Sequence, residues 1–398
     1  MANTLLNSTK ILAKSLDVLH NNLSFTRGVN REYDGNYANS GAKIGSTLQV
    51  RLPNRYTIRS GKPINVQDQA EETVTITCAT QKGVDMNFSS AELTMDIDKF
   101  SERYINPAMA KIASLLDYEG MSLYKDIYNY VGAAGTTPAT ALVALQAGQK
   151  LNESATPQDE RSISLNPAAN AAMVNGLAGL FNPGGVIGEN YRKGMMGSGQ
   201  LGFAWAMDQN VNSHTCGTRT ASGAATINGT AAEGATSLVL AHTGSVTYKQ
   251  GDVFSVADCY AVNPETGQST GALAQFIVTA DASGTTTATV SVSPSCITVG
   301  AKATLNSLPA SGKAVTFGGV ASTSYPQNMA YHKDAFTLAT ADLELPKGVD
   351  FASRAVVDGI SMRIVRAYDI NNDNFPCRID VFYGWKTIRP SMACRITG

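Results

Sequence analysis

One stretch limits the fold more than any other. Asn106 is a good N-cap, Pro107 stands at the first helical position where its missing N–H costs nothing, and only Gly120 interrupts the run to Val131 before Gly132 and Gly135 end it. At about 1.5 Å per residue these roughly 25 residues predict a helix of about 37 Å, preceded by an amphipathic lead from Ile97 to Tyr104. Met109, Ile112, Leu116, Gly120, Leu123, Ile127 and Tyr130 recur at three- and four-residue steps. Leu115, Tyr118, Tyr124, Tyr128 and Val131 widen that stripe until it describes a spine gripped from more than one side. A bulky residue at Gly120 is therefore expected to disturb packing.

A chain of 398 residues can bury a large core and is expected to divide into two or three domains. Its formal net charge of -1 gives no basic field of the kind that recruits nucleic acid. Met1 to Leu19 is punctuated by Asn, Thr, Lys and Asp, so the sequence reads as a soluble chain without a secretion signal. Cys78, Cys216, Cys259, Cys296, Cys377 and Cys394 are far apart and form no C-x-x-C pair, which reads as reduced thiols in a cytosolic setting, with neither a zinc site nor a disulfide framework. His20, His214, His242 and His332 are scattered and read as structural or surface residues.

Leu5, Ile11, Leu12, Leu16 and Leu19 keep helical spacing behind Asn3 or Thr4, and a Gly-, Asn- and Tyr-rich loop follows from Gly28 to Gly41. Such an arm needs another surface to lie on. From Ile44 to Phe88 the period changes to two, with Leu48, Val50 and Leu52, then Tyr56 and Ile58, then Val74, Ile76 and Cys78. This predicts a long ribbon turned through Arg59 to Gln69. Its charges are segregated, Arg51, Arg55, Arg59 and Lys62 on the outgoing half and Asp68, Glu71 and Glu72 on the return; these seven are the candidate inter-subunit contacts. A two-stranded ribbon is marginal alone, so it needs support.

Beyond the spine, a helix is expected from about Pro138 to Leu151 with Ala141, Leu142 and Leu145 on its apolar face, then a buried strand from Ser162 to Leu165, a helix at Pro167 capped by Asn166, and a loop from Gly179 to Gly188. From Gly217 to Tyr325 the composition shifts: only nine residues are charged, and short Val-, Ile-, Thr- and Phe-rich runs (Ser237–Leu240, Val253–Val256, Ala274–Thr279, Thr287–Val292) alternate with Gly, Ser, Asn and Pro. That pattern predicts an inserted antiparallel β barrel or sandwich. Leu343 and Leu345, then Ile360, Met362, Ile364 and Val365, then Ile379, Val381 and Tyr383 read as strands returning to the spine.

No motif carries catalysis. Gly197, Gly199 and Gly202 spell G-x-G-x-x-G without the preceding buried strand and following helix of a dinucleotide unit. Asp369, Asn371 and Asp373 imitate a calcium loop, but Asn374 and Asp380 stand where Gly and Glu are required. The triplets at Asn7, Asn22, Asn87 and Asn228 mean nothing without secretion. There is no G-x-S-x-G and no H-E-x-x-H, and no catalytic residue, metal ligand or cofactor is expected.

The order of the pieces, with LPNRYTIRSG (52–61), SERYINPAMA (101–110), ALQAGQKLNE (144–153), YRKGMMG (191–197), YAVNPETGQSTGALAQFIV (260–278), DAFTLATADLELPKGVDFASR (334–354) and FYGWKTIRPSMACRITG (382–398), resembles the Hong Kong 97-type major capsid fold, and within it the podophage coat proteins typified by phage P-twenty-two that carry an inserted β barrel. The resemblance implies an α+β protein with an N-terminal arm (1–43), an extended β loop (44–90), a spine-helix peripheral domain (91–135), an axial domain (136–216), the inserted barrel (217–325) and return strands (326–398). It also implies a non-enzymatic virion protein that assembles in the host cytoplasm into pentamers and hexamers of an icosahedral shell around double-stranded DNA, with scaffolding and portal partners and no membrane. Lys62 has the position of a cross-link donor in the fold's type member, although the resembled subfamily is not known for cross-links. Two other readings compete. A secreted adhesin would want a signal peptide and disulfide-compatible cysteines, and a cytosolic enzyme would be a monomer or small oligomer with a pocket.

Overall fold

The computed structural model describes residues 23–31, 47–59, 61, 62, 64, 66, 71–89, 106–176, 199–219, 224–357 and 360–397. The expected N-terminal helix, the lead from Ile97 to Tyr104, the loop from Gly179 to Gly188 and Asp68 lie outside these residues. Secondary structure is mixed and mostly strand, and among the described residues no helix is long and apolar enough to cross a membrane. Contacts group the chain into two units, Met1–Arg51 with Thr73–Gly120 and Phe336–Lys386, and Leu52–Glu72 with Met121–Ala335 and Thr387–Gly398. Strands and helices are numbered along the chain.

In the first unit β1 (Thr47–Arg51) pairs antiparallel with β2 (Thr73–Thr77), Arg51 facing Thr73. β3 (Thr80–Ser89) pairs along β21 (Asn374–Thr387), from Thr80 opposite Tyr383 to Ser89 opposite Asn374. On its other side β21 meets β20 (Ile360–Arg366), which pairs with β19 (Phe351–Val357), and β18 (Phe336–Thr340) closes the sheet order. The expected ribbon is thus shorter than the period-two pattern implies: Tyr56 and Ile58 lie in no strand. Pro53, lacking an N–H, stands one residue beyond Leu52, whose own N–H still reaches Glu72 O at 2.8 Å.

Helix α1 spans Asn106–Met121 and buries Met109, Ile112, Ala113 and Leu116. The core of this unit includes Phe25, whose ring lies 5.6 Å from that of Phe336 and 5.8 Å from that of Trp385. The spine is also shorter than expected. A 3-10 turn (Ser122–Asp126) follows α1, and Tyr130–Val131 is a strand, β4. The cause is tertiary: Gln275 brackets Tyr130, accepting its N–H at 2.8 Å and donating to its carbonyl at 2.9 Å, while β22 (Ala393–Ile396) pairs in parallel with β4.

The second unit holds a five-stranded sheet in the order β4, β22, β17 (Asn328–His332), β5 (Arg161–Leu165), β6 (Ala204–Met207). Helix α2 (Ala141–Glu153) turns Ala144, Ala147 and Leu151 into its core and leaves Leu142 and Leu145 exposed, so the buried stripe lies to one side of the one expected. Helix α3 (Pro167–Gly176) is capped as expected, Asn166 Oδ1 accepting the N–H of Ala169 at 2.9 Å.

The same unit contains a closed six-stranded barrel in the order β11 (Val253–Val262), β12 (Ser269–Val278), β14 (Thr287–Cys296), β9 (Ala235–Ala241), β8 (Ala225–Ile227), β15 (Ala314–Phe317). A short antiparallel pair, β10 (Val246–Tyr248) with β13 (Ala282–Gly284), is interleaved with the barrel strands in chain order. Alternation works as the sequence requires: Ala288, Val290 and Val292 of β14 point inward and Thr287, Thr289 and Ser291 outward. Phe254, Phe276 and Phe317 pack in its core, with ring separations of 5.6 and 5.9 Å. The chain enters and leaves through an antiparallel stem, β7 (Ser213–Thr215) on β16 (Ser324–Pro326), with His214 facing Tyr325. All six cysteines are buried thiols.

Candidate functional site

The segment from Leu52 to Glu72 exposes what a monomer has least reason to expose. Tyr56 is 67%, Ile58 96%, Ile64 83% and Val66 81% accessible. Arg55, Arg59, Lys62, Glu71 and Glu72 of the same segment are exposed as well, and so is Arg51. Glu72 pairs with Lys302 of the barrel at 2.5 Å, and Arg59 donates to the carbonyl of Gly61. Arg55 lines a small cavity of about 80 Å³ with Tyr128, Lys150, Glu153, Gln275 and Ser391. Burial pushes the Tyr128 hydroxyl up to about 12, against the opposing pulls of a Ser391 hydrogen bond and the Arg55 charge. Tyr56 and Ile58 read in sequence as strand residues and not as exposed ones, because alternation is the same signal whether one face is covered by its own chain or by another.

A second constellation stands where the barrel meets the five-stranded sheet. β7 sends His214 inward between two exposed neighbours. Its Nε2 lies 3.0 Å from Asp252 Oδ1 and its Nδ1 3.2 Å from the Tyr124 hydroxyl. An ionised carboxylate only accepts, so the proton is assigned to Nε2, and the bare Nδ1 accepts from Tyr124. Asp252 is fully engaged: Oδ1 also takes Arg219 at 2.6 Å, and Oδ2 takes the N–H groups of Gly217 and Lys249 at 3.2 and 3.0 Å. Arg219 further donates to the carbonyls of Gly318 and Gly319 and lies 5.0 Å over the Phe317 ring. Arg395, on β22, donates to Gln327 Oε1 and to the carbonyl of Gly251 at 2.7 Å, and covers the Tyr124 ring at 5.2 Å. Gly251 is a requirement: its φ is +99°, and a Cβ there would lie 3.1 Å from His214 and 3.3 Å from Tyr124.

Burial raises the Asp252 carboxyl, but the His214 hydrogen bond, the Arg219 charge and the Lys249 N–H outweigh it and hold the group below the usual carboxylate range. Burial lowers Arg395 to about 10, still a cation at neutral pH, and raises the Cys216 thiol. The donor atoms of His214, Cys216 and Asp252 lie within 4.8 Å of one another. A dication does not fit them: both Asp252 oxygens are already taken, and two guanidiniums flank the group. Asp252, Arg219 and His214 form instead a buried hydrogen-bonded network around one carboxylate, with the Cys216 thiol beside it. His214 was legible only as structural or surface; its partners Asp252 and Tyr124 are 38 and 90 residues away in sequence.

A family model described as P22 coat protein, gene protein 5, matches residues 1–398. The chain belongs to the P22 coat protein family. It is a major capsid protein of a tailed phage, and its place is the virion capsid. No curated protein matches the coat protein's sequence. Solved structures similar to it include one of Mycobacterium phage Che8 (12% identity, TM-score 0.47, 94% of this chain and 90% of that one) and the capsid of cyanophage P-SCSP1u (9% identity, TM-score 0.44, 89% and 84%). The mature capsid of bacteriophage PhiM1 is a third (10% identity, TM-score 0.40, 89% and 82%).

Proposed function

We propose that this coat protein self-assembles into the icosahedral shell enclosing a double-stranded DNA genome, as pentamers and hexamers formed in the host cytoplasm with scaffolding and portal partners. The observation that carries the assembly role is the segment with Tyr56, Ile58, Ile64 and Val66 exposed among Arg55, Arg59 and Lys62. Apolar surface presented on an exposed segment is stable in water when a neighbour covers it. Charges around it choose register and partner while each adds little net affinity. Weak contacts repeated over many copies allow a shell to correct errors before it locks. A formal net charge of -1 spares closely packed copies strong mutual repulsion.

The Hong Kong 97-like division accompanies this reading: arm 1–43, extended loop 44–90, peripheral domain 91–135, axial domain 136–216, inserted barrel 217–325 and return strands 326–398. The β7–β16 stem supports the insertion, because it brings the two ends of the barrel segment side by side. Arg51, Arg55, Arg59, Lys62, Asp68, Glu71 and Glu72 remain the proposed inter-subunit contacts, with Glu72 shared with Lys302 of its own chain. Expression of the chain alone and with its scaffolding partner, followed by sedimentation and negative-stain microscopy of the fast fraction, tests the proposal. Closed shells of uniform size are expected; a species of one to a few subunits under both conditions would overturn it.

A further inference from the structure

We infer that the His214 junction is a pH-sensitive joint, which seats the barrel while the imidazole is neutral and loosens it when the ring takes a second proton. As assigned, the geometry is that of the neutral ring. Nε2–H donates to Asp252 and Nδ1 accepts from Tyr124. A second proton can go only to Nδ1, where the Tyr124 hydroxyl can no longer donate. That hydroxyl must then turn from donating to accepting, while the ring carrying it is held under Arg395.

The charges facing His214 make the same point. The 3-10 turn Ser122–Asp126 brings Tyr124 and Lys125, the segment after β7 brings Cys216 and Arg219, the turn before β11 brings Lys249 and Asp252, and β22 brings Arg395. Asp281, on the same groove, is occupied by Lys249 at 2.8 Å. One buried carboxylate, Asp252, would thus answer three buried cations. Burial, with the Arg395 and Arg219 charges, already holds His214 below its ordinary 6.5, so the transition falls on the acid side. His214 and Cys216 line an open groove of about 830 Å³, which gives the proton a path.

Loosening is local because the links differ in chemistry. Stem and sheet reach this side of the barrel through Asp252 and its neighbour Gly251. Elsewhere the Gln275–Tyr130 bracket and the Asn263 amide on Glu153 O contain no titrating donor.

Hydrogen exchange of the full-length chain, corrected for the intrinsic pH dependence, tests the joint. Between about pH 7.5 and about pH 5, exchange in 213–219, 249–252 and 318–327 is expected to rise about tenfold while β9 and β14 stay constant. His214→Gln, whose amide both donates to Asp252 and accepts from Tyr124, should remove the rise. Tyr124→Phe removes the hydroxyl that demands a bare Nδ1 and should move the midpoint to higher pH. A flat wild-type profile, or a rise that survives in His214→Gln, overturns the inference. If His214→Gln does not fold, an unmoved midpoint in Tyr124→Phe overturns it.

Discussion

At Asp117 a single carboxylate fixes the path of a distant segment. Fully buried on α1, it accepts the N–H groups of Ser24, Phe25 and Thr26 at 2.7, 3.3 and 2.9 Å and the hydroxyls of Ser24 and Thr26 at 3.2 and 2.6 Å. Those donors start the 3-10 turn Thr26–Gly28 and bring Phe25 over Gly120, where a Cβ would stand 2.8 Å from the rings of Phe25 and Trp385. Gly120→Val is expected to cost about 1–3 kcal/mol in chemical denaturation, because neither ring can retreat within a packed core. Asp117→Ala should cost about 2 kcal/mol or more by leaving several buried donors unmatched. Gly120 was readable in advance as the small residue on an apolar stripe. Asp117 was not, since no local pattern separates a carboxylate bound for buried amides from one bound for water. Proton linkage follows from the junction. His214 is held below 6.5, so under that pH the unfolded chain binds protons that the folded chain does not, and stability falls with decreasing pH. Asp252 is held below 3.8, so its contribution is present above that value and lost beneath it. Stability measured against pH should therefore fall in two separate windows, and His214→Gln should abolish only the upper one.

Elements were legible where the determinants are local. The barrel follows from alternation in Thr287–Cys296 and from turn residues between short strands, and its inward residues are the apolar ones. The end of α1 does not follow from its sequence, because Ile127, Tyr130 and Val131 satisfy a helical stripe equally well. What captures Tyr130 is Gln275, 145 residues away, with β22 alongside. Competition between local period and distant partner is testable at that side chain: Gln275→Ala should destabilise the full chain by about 1 kcal/mol, the cost of losing the bonds to a half-buried backbone pair. The barrel, in contrast, has its own closed sheet and aromatic core, so a fragment of residues 217–325 should melt cooperatively when followed by circular dichroism. A fragment without a cooperative transition would mean that the stem and junction are needed to hold the sheet closed.

For the proposed shell, the balance to test is between charge and apolar contact on the segment from Leu52 to Glu72. Its sequence reads as the end of one strand, at Tyr56 and Ile58, and a turn from Arg59 to Gln69, whereas the structure leaves Tyr56, Ile58, Ile64 and Val66 exposed and the strand pairing ends at Arg51 and Thr73. Two variants separate the contributions. Arg55→Glu with Arg59→Glu reverses the charge while leaving the apolar residues in place, and Ile58→Asp removes the most exposed apolar side chain, at 96%, while sparing the arginines. Both should fold, since none of the three side chains is buried, and both should lower particle yield. They should differ in their response to salt. With a Debye length of about 8 Å at physiological ionic strength and about 3 Å at 1 M, register chosen by charge weakens as salt rises, so the arginine variant should approach the wild type there. The Ile58→Asp defect should persist, because added salt does not restore lost apolar burial. Equal particle yields for the wild type and both variants at every salt concentration would remove this segment from the assembly interface.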